Sequence, residues 1–584
     1  MNAVVATHFE NRRGPACLRV MVAAATSAFV IWIVTGAYGW RGYPAEHDGG
    51  RLVAAVLGLL CLVILLTIAW TTIAPQPPSR RTLLIAIVCW STARLVTTSL
   101  FPLGSDEAYH WLWAEHLDLC YYDHPAMVAW LARLFAPFGG EATALVRFSP
   151  IVLGALLPAA TAYLAWMTLR DVGIAVRSGL FFMLTPLLSG STFLMPALPV
   201  IFFWTLAAIQ FWRAAESGRH RDWLLLGLAF GAALNCNFTT LLFPLCILTY
   251  LLLTPFHRRH LIKPGPYLAL AVAAACFLPV IVWNADHEWR TFGFNFFRRH
   301  RDLAFHADQL ALYLGQLLLF VSPVLAVGII VAGCSSLYSA FRIPHSEFDR
   351  SPGLRYLAIM GLAPIFAFLV TSAALKARAH YAAPAFIPLI VLFVWQVHCG
   401  VLRRWLRPAA IVGLVMTIGF WWVLVLTAIV PYSPMHIVLT KLDPKNPDKP
   451  TAELYGWPAL GNYLDSFGQR MDAQSQTVVI ALSYAQASLA MHYSRNLDYA
   501  FSLDEGKSPY GQQFEQWGPL KDIPIGCDAI LFRAGQIPDE VTYRIDLEKH
   551  FQRVERVNTR RKFLAELYYF SIWRGYGYRG GYGR

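Results

Sequence analysis

The stretch Gly104-Ser105-Asp106-Glu107-Ala108-Tyr109-His110-Trp111-Leu112-Trp113, continued by Tyr121-Tyr122-Asp123-His124-Pro125, lies between two long apolar runs. From Asp106 to Leu119 the spacing is helical, with Tyr109, Trp113 and Leu117 on one stripe, the pattern of an aromatic helix lying along a membrane interface. A second helix is expected after Pro125, with Val128, Leu131 and Phe135 on its apolar face. Two adjacent carboxylates at a helix start admit two explanations. In one, Ser105 or Asp106 caps the helix and the acids offset its positive end. In the other, Asp106 is a general base that takes the proton of an acceptor hydroxyl. Successive helical side chains diverge by about 100°, so the two acids are not expected to share one task.

Outward from this loop the chain is apolar. Of 584 residues 57% are hydrophobic and 14% charged, too few charges for an ordinary soluble protein. Runs of about 20 apolar residues recur up to position 430, each long enough to cross a bilayer. Thirteen spans are predicted: 18–38, 52–73, 82–101, 145–169, 176–194, 198–212, 222–236, 238–254, 266–284, 310–333, 354–374, 382–401 and 408–430. The net charge of +13 is read as a topology signal and not as a nucleic-acid footprint. One set of connecting loops holds nineteen Lys and Arg and the other nine. The richer set is expected to face the cytoplasm with the N-terminus, which puts loop 102–144 and everything after Pro431 outside. The ten cysteines show no CxxC or metal-ligand spacing.

Six of the nine outside charges cluster in two loops. One reads Trp283-Asn284-Ala285-Asp286-His287-Glu288-Trp289-Arg290 and continues to Phe297-Arg298-Arg299-His300-Arg301. Guanidinium pairs well with phosphate, so Arg298 and Arg299 are candidates for an anionic lipid headgroup, against an ordinary aromatic belt. Lys376 and Arg378, near His380, repeat the theme, with snorkelling as the alternative. Arg94, inside a span about three turns before Asp106, is a third phosphate candidate because intramembrane charge faces a cavity or a partner. Arg147 is expected to snorkel. His110 and His124 are read as hydrogen-bonded rather than metal-bound.

The run at 106–113 with Tyr-Tyr-Asp-His-Pro at 121–125 resembles the first outside loop of membrane glycosyltransferases of the GT-C fold. The likeness is to the bacterial branch of aminoarabinose and galacturonic acid transferases of lipopolysaccharide, distantly akin to protein O-mannosyltransferases. It continues through 283–289, Gln316 to Pro323, Lys376 to Pro384 and Gly456-Trp457, over most of residues 82–500. The resemblance implies inverting transfer from a polyprenyl-phosphate-linked sugar to a glycolipid or glycan acceptor at the outer face of a bacterial inner membrane. Asp106 would be the base, with Glu107 assisting. Arg94, Arg298, Arg299, Lys376 and Arg378 would bind the donor phosphate, and Tyr109, Tyr122, Asp123, His124 and His380 would contact acceptor or sugar. No cofactor is assigned and a divalent metal is left open; membrane lipids are expected partners and nucleic acid is not. The sequence departs from the family pattern in three places: Ala197 stands where an acid is usual, Asn237 where a Lys is usual, and Ala126 where a second Pro is usual.

The expected fold is an α-helical polytopic membrane protein of GT-C type with a small C-terminal α/β domain. Residues 1–81 hold two added spans, 82–430 the catalytic region and 431–584 the outside domain. Strands are predicted at 477–482, 529–532 and 563–573, a helix near 484–493, and a mobile Gly/Tyr/Arg ending at 575–584. Two other functions fit the same signals: a lipid-linked sugar flippase, or an impaired homologue that only binds polyprenyl lipid.

Overall fold

The computed structural model describes residues 2–37, 49–135, 143–297, 305–342, 351–375, 378–429, 456–468, 477–504, 511–534, 540–557 and 570–582. Among these, nine helices are long and apolar enough to cross a bilayer, or eleven when two bent pairs are each counted as one span. This is the architecture of a multi-pass membrane protein. The first helices, α1 (Asn2–Val34), α2 (Gly50–Ile73) and α3 (Arg80–Thr97), pack on one another, and α2 also packs on the late helix Leu406–Ile429.

Among the described residues, the thirteen predicted spans do not all form as uninterrupted helices. The predicted span 310–333 is two helices, Ala307–Val321 and Pro323–Arg342, meeting at a bend of 98°. Ser322 at the bend has a left-handed φ of 78°. Pro323 accounts for the break, since it lacks an N–H and disfavours helical geometry in the residue before it. Pro255 acts likewise at the 113° bend after Leu253. The fifth predicted span is an apolar helix of only 12 residues, Val172–Met183, stopped ahead of Pro186.

Contacts run within each predicted loop set. Loops expected outside converge at one end: Thr291 Oγ1 donates to Tyr121 O (2.9 Å), Trp283 Nε1 to Asp118 Oδ2 (2.7 Å), and His306 N to Ala373 O (2.8 Å). At the other end Arg177 donates to Ala74 O, and His260 lies 2.9 Å from Ala215 O.

The C-terminal domain carries a five-stranded mixed sheet of order β2-β1-β3-β5-β4. Its strands are β1 (Thr477–Ala481), β2 (Ala500–Ser502), β3 (Asp528–Ala534), β4 (Phe551–Arg556) and β5 (Phe570–Tyr578). β1 pairs in parallel with β2 and β3, while β5 runs antiparallel to β3 and β4. The predicted mobile ending is instead part of this sheet. Gly575–Tyr578 belong to β5, Arg579 N donates to His550 O, and Tyr582 stacks on His550 at 4.0 Å.

Candidate active site

Helix α4 (Ser105–Glu115) begins where Pro102 and Gly104 interrupt the chain after α3. Its cap is Gly104, whose N–H is satisfied by Glu107 Oε2 at 3.0 Å. Glu107 is the third helical residue, the position from which an acid reaches back to the cap. The helix-capping role expected for Ser105 or Asp106 therefore belongs to Glu107, and Asp106 is released from it.

Glu107 is held on every side. Arg147 donates to both of its oxygens, at 2.6 and 2.8 Å, and Leu194 N donates to Oε1 at 3.1 Å. Arg147 also donates to the carbonyls of Thr98, Phe101 and Pro102, with the Phe101 ring 4.3 Å from its guanidinium carbon. It is 0% exposed, so it does not snorkel. Its five donors close the turn that launches α4, which is a task only a planar guanidinium fulfils.

The stripe expected to face lipid is buried in protein. Tyr109 and Trp113 are 1% and 0% exposed, in a core shared with Trp457, Tyr493 and Phe514 of the C-terminal domain. Trp113 stacks on Tyr121 at 4.2 Å, and only Leu117 of the stripe is exposed. Burying such rings away from water contributes about 2–3 kcal/mol each, and here residues of the C-terminal domain cover them. Leu103 N donates to Tyr493 and Tyr122 N to Gln513 across the same junction. Helix α5 (Met127–Phe135) forms as predicted and buries Val128.

At this junction opens a cavity of about 770 Å³. Asp106, Tyr109, His110, Asp123, His124, Arg378 and His380 line its polar part, with Tyr484 contributed by the C-terminal domain. Pro186, Leu187, Phe320, Met416 and Phe420 make its walls apolar on the bundle side. Asp106 is accessible from the cavity, yet protein encloses it on most sides. Burial, with a lesser contribution from Glu107, raises its carboxyl above the ordinary carboxylate range, while a hydrogen bond from Tyr484 opposes the shift. Tyr109 donates to Asp123 Oδ1 at 3.1 Å, and burial next to that acid pushes its phenol well up, so it remains a donor. Burial lowers His110 to about 4, which keeps the ring neutral beside Leu194 O. Residues 121–124 form a turn closed by Tyr121 N to His124 O, which presents Asp123 and His124 to the cavity.

Several expected site residues are placed elsewhere. Arg94 does not line the cavity: it is fully buried behind it, donating to Thr192 Oγ1 and Ser191 O. Glu107 is enclosed by Arg147, and Tyr122 packs against Phe294 outside the cavity. Arg298, Arg299 and Lys376 lie outside the described residues. The Trp283–Trp289 stretch is a scaffold, with Trp283 holding Asp118 and Asn284 Oδ1 accepting from Thr291 N. Both main departures from the family pattern, Ala197 and Asn237, line the cavity, where Asn237 Nδ2 lies 3.4 Å from His124 Nδ1. Tyr484 had no signal in the sequence, because nothing local shows which domain residue meets Asp106. Among the described residues no three His, Cys, Asp or Glu side chains group as a metal set.

The fold has a solved counterpart. The fold superposes on ArnT from Cupriavidus metallidurans bound to undecaprenyl phosphate with a TM-score of 0.57, covering 85% of this chain and 98% of that one at 14% identity. The chain has the GT-C fold. Residues 123–283 match the family model for dolichyl-phosphate-mannose-protein mannosyltransferase. Among curated proteins, this GT-C chain is 26% identical over 298 residues to the lipid A galacturonosyltransferase RgtD of Rhizobium johnstonii, covering 50% of this chain and 60% of that protein. It is 28% identical over 299 residues to the undecaprenyl phosphate-alpha-4-amino-4-deoxy-L-arabinose arabinosyl transferase of Pseudomonas aeruginosa, covering 50% and 52%. The chain thus spans somewhat over half the length of the curated relatives it matches.

Proposed function

We propose that this protein is an inverting glycosyltransferase that moves a sugar from a polyprenyl-phosphate donor to a glycolipid or glycan acceptor at the outer face of a bacterial inner membrane. The observation that carries the reading is the cavity itself. It sets an uncapped carboxylate, Asp106, and a guanidinium, Arg378, around one space with apolar walls running into the bundle. The names of the two curated relatives, a lipid A galacturonosyltransferase and an undecaprenyl-phosphate aminoarabinose transferase, support the donor and acceptor classes.

In this reading the prenyl chain lies along the apolar wall and its phosphate meets Arg378. The acceptor hydroxyl attacks the anomeric carbon, Asp106 takes its proton, and the bond to the phosphate oxygen breaks with its electron pair leaving on the phosphate. Phosphate is a competent leaving group once its charge is met, so the site needs a cation there more than an acid. The raised pKa of Asp106 strengthens it as a base in this enclosed setting. Asp123, with Tyr109, and the rings of His124 and His380 are the contacts for sugar or acceptor hydroxyls. Glu107 and Arg147 position α4 and take no part in proton transfer. The N-terminus lies in the cytoplasm and the C-terminal domain outside, as the Lys and Arg asymmetry between the two loop sets indicates.

The test is transfer in proteoliposomes. Purified protein is given radiolabelled undecaprenyl-phosphate sugars, carrying galacturonic acid or 4-amino-4-deoxy-L-arabinose, with lipid A as acceptor. Labelled lipid A supports the proposal. Donor crossing the bilayer without transfer would establish the flippase instead, and saturable donor binding alone would establish an impaired homologue with Ala197 and Asn237 in its cavity.

A further inference from the structure

Among the described residues, one side chain of the C-terminal domain lines the cavity. Tyr484 is the first residue of the helix Tyr484–Tyr493 and lies on the cavity wall opposite the start of α4. Its backbone N–H donates to Asp504 Oδ1 at 3.0 Å, which ties the residue to the end of β2. Its ring meets Tyr109 edge-on at 5.1 Å, and Tyr109 is in turn flanked by Phe514 and Trp517 of the same domain. With backbone and ring both fixed, the phenol oxygen stands 3.4 Å from Asp106 Oδ1. That is longer than an optimal O–H···O bond. Catalytic hydrogen bonds are often long before substrate binds and shorten in the complex.

We propose that Tyr484 is a positioning residue for the catalytic base: its phenol donates to Asp106 Oδ1 and holds the carboxylate so that Oδ2 receives the acceptor proton. The proposal rests on Asp106 being that base. A carboxylate free to rotate presents either oxygen and samples many directions; one fixed donor removes that freedom. Because the donor comes from the C-terminal domain, the base is complete only when that domain is docked on α4.

Among the described residues, the charged and titratable groups near Asp106 on its own helix are Glu107, itself paired with Arg147, and His110. Asp123 and His124 face it from the 121–124 turn, and Arg378 and His380 from the turn after 378. None of these changes in Tyr484→Phe, which keeps the ring against Tyr109 and removes only the hydroxyl. Loss of a donor to the charged form makes Asp106 easier to protonate. The acidic limb of kcat/KM for lipid A transfer is therefore expected to move up by roughly half to one pH unit. On the plateau kcat is expected to fall about threefold to tenfold, a loss of one directed hydrogen bond, with donor KM unchanged. Wild-type limb and plateau retained in Tyr484→Phe would overturn the proposal while leaving the transferase reading intact. If the wild-type protein transfers neither sugar, the transferase reading fails by itself. The contact is then judged by infrared titration of the Asp106 carboxyl, identified by its loss in Asp106→Asn: a higher midpoint in Tyr484→Phe supports the contact, and an unchanged midpoint removes it.

Discussion

Arg147 grips Glu107 with two hydrogen bonds of 2.6 and 2.8 Å, and the two side chains are 0% and 3% exposed. In the proposed mechanism this pair makes Glu107 the structural one of the two neighbouring acids. It holds Glu107 at the helix cap and turns Asp106, one residue earlier, toward the cavity.

The pair is expected to be indispensable to the fold as a unit. Arg147→Met leaves a buried carboxylate and three carbonyls without their donor, and Glu107→Gln leaves a buried guanidinium without its charge partner. Removing one member of such a pair costs about 3–5 kcal/mol. Melting in detergent should show a large fall in Tm for either single change. The double variant should recover part of the loss, because no charge is then stranded. Wild-type melting in both single variants would contradict this account of the α4 start.

Asp106 should behave in the opposite way. Its folded pKa is raised above the unfolded value by burial. Between those two values the folded state binds more protons, so stability falls as pH rises through the folded pKa. Above it the ionised carboxylate weighs against the fold, and Asp106→Asn is expected to raise Tm slightly at neutral pH while leaving Tm unchanged in acid. Activity has the reverse sign and is lost as pH falls through the same pKa. A lower Tm for Asp106→Asn at neutral pH would mean that the carboxylate stabilises the fold.

The membrane class and the clustering of one set of loops were legible in the sequence, because apolar run length and Lys/Arg bias are local, additive signals. The strand at 477 and the helix at 484 were legible for the same reason. Three other features were not. The stripe of Tyr109 and Trp113 has the same pattern whether it faces lipid or a docked domain, since both are apolar. Arg147 resembles a snorkelling residue until Thr98, Phe101, Pro102 and Glu107 are seen folded around it. The span at 310–333 looks continuous in hydropathy, and only the backbone geometry demanded by Pro323 divides it.

Arg94 provides a test of structural against phosphate-binding roles. A Cβ on Gly154 would lie 2.3 Å from its Nη1, so the bare glycine makes room for the guanidinium. Arg94 is anchored to Thr192 and Ser191, so it has little freedom to retreat. Gly154→Ala is expected to cost about 1–3 kcal/mol through overpacking. Arg94→Gln should likewise lower Tm and leave donor KM unchanged. A raised donor KM with wild-type Tm would return Arg94 to the phosphate site.

Arg378 should show the converse. It is exposed to the cavity, so Arg378→Gln is expected to melt like wild type. It should raise donor KM about tenfold or more, the loss of one charge-assisted phosphate contact. Titration with undecaprenyl phosphate in detergent checks this independently of turnover, and unchanged affinity would rule out the contact.

The most direct test of the central claim compares the two neighbouring acids in single-turnover transfer from labelled undecaprenyl-phosphate sugar to lipid A. Asp106→Asn is expected to bind donor with wild-type affinity and to lose about 10²–10⁴-fold in the transfer rate, the contribution of a positioned general base. Folded Glu107→Gln, corrected for its lower stability, should keep the larger part of the rate. A transfer rate for Asp106→Asn within a few-fold of wild type would contradict the account.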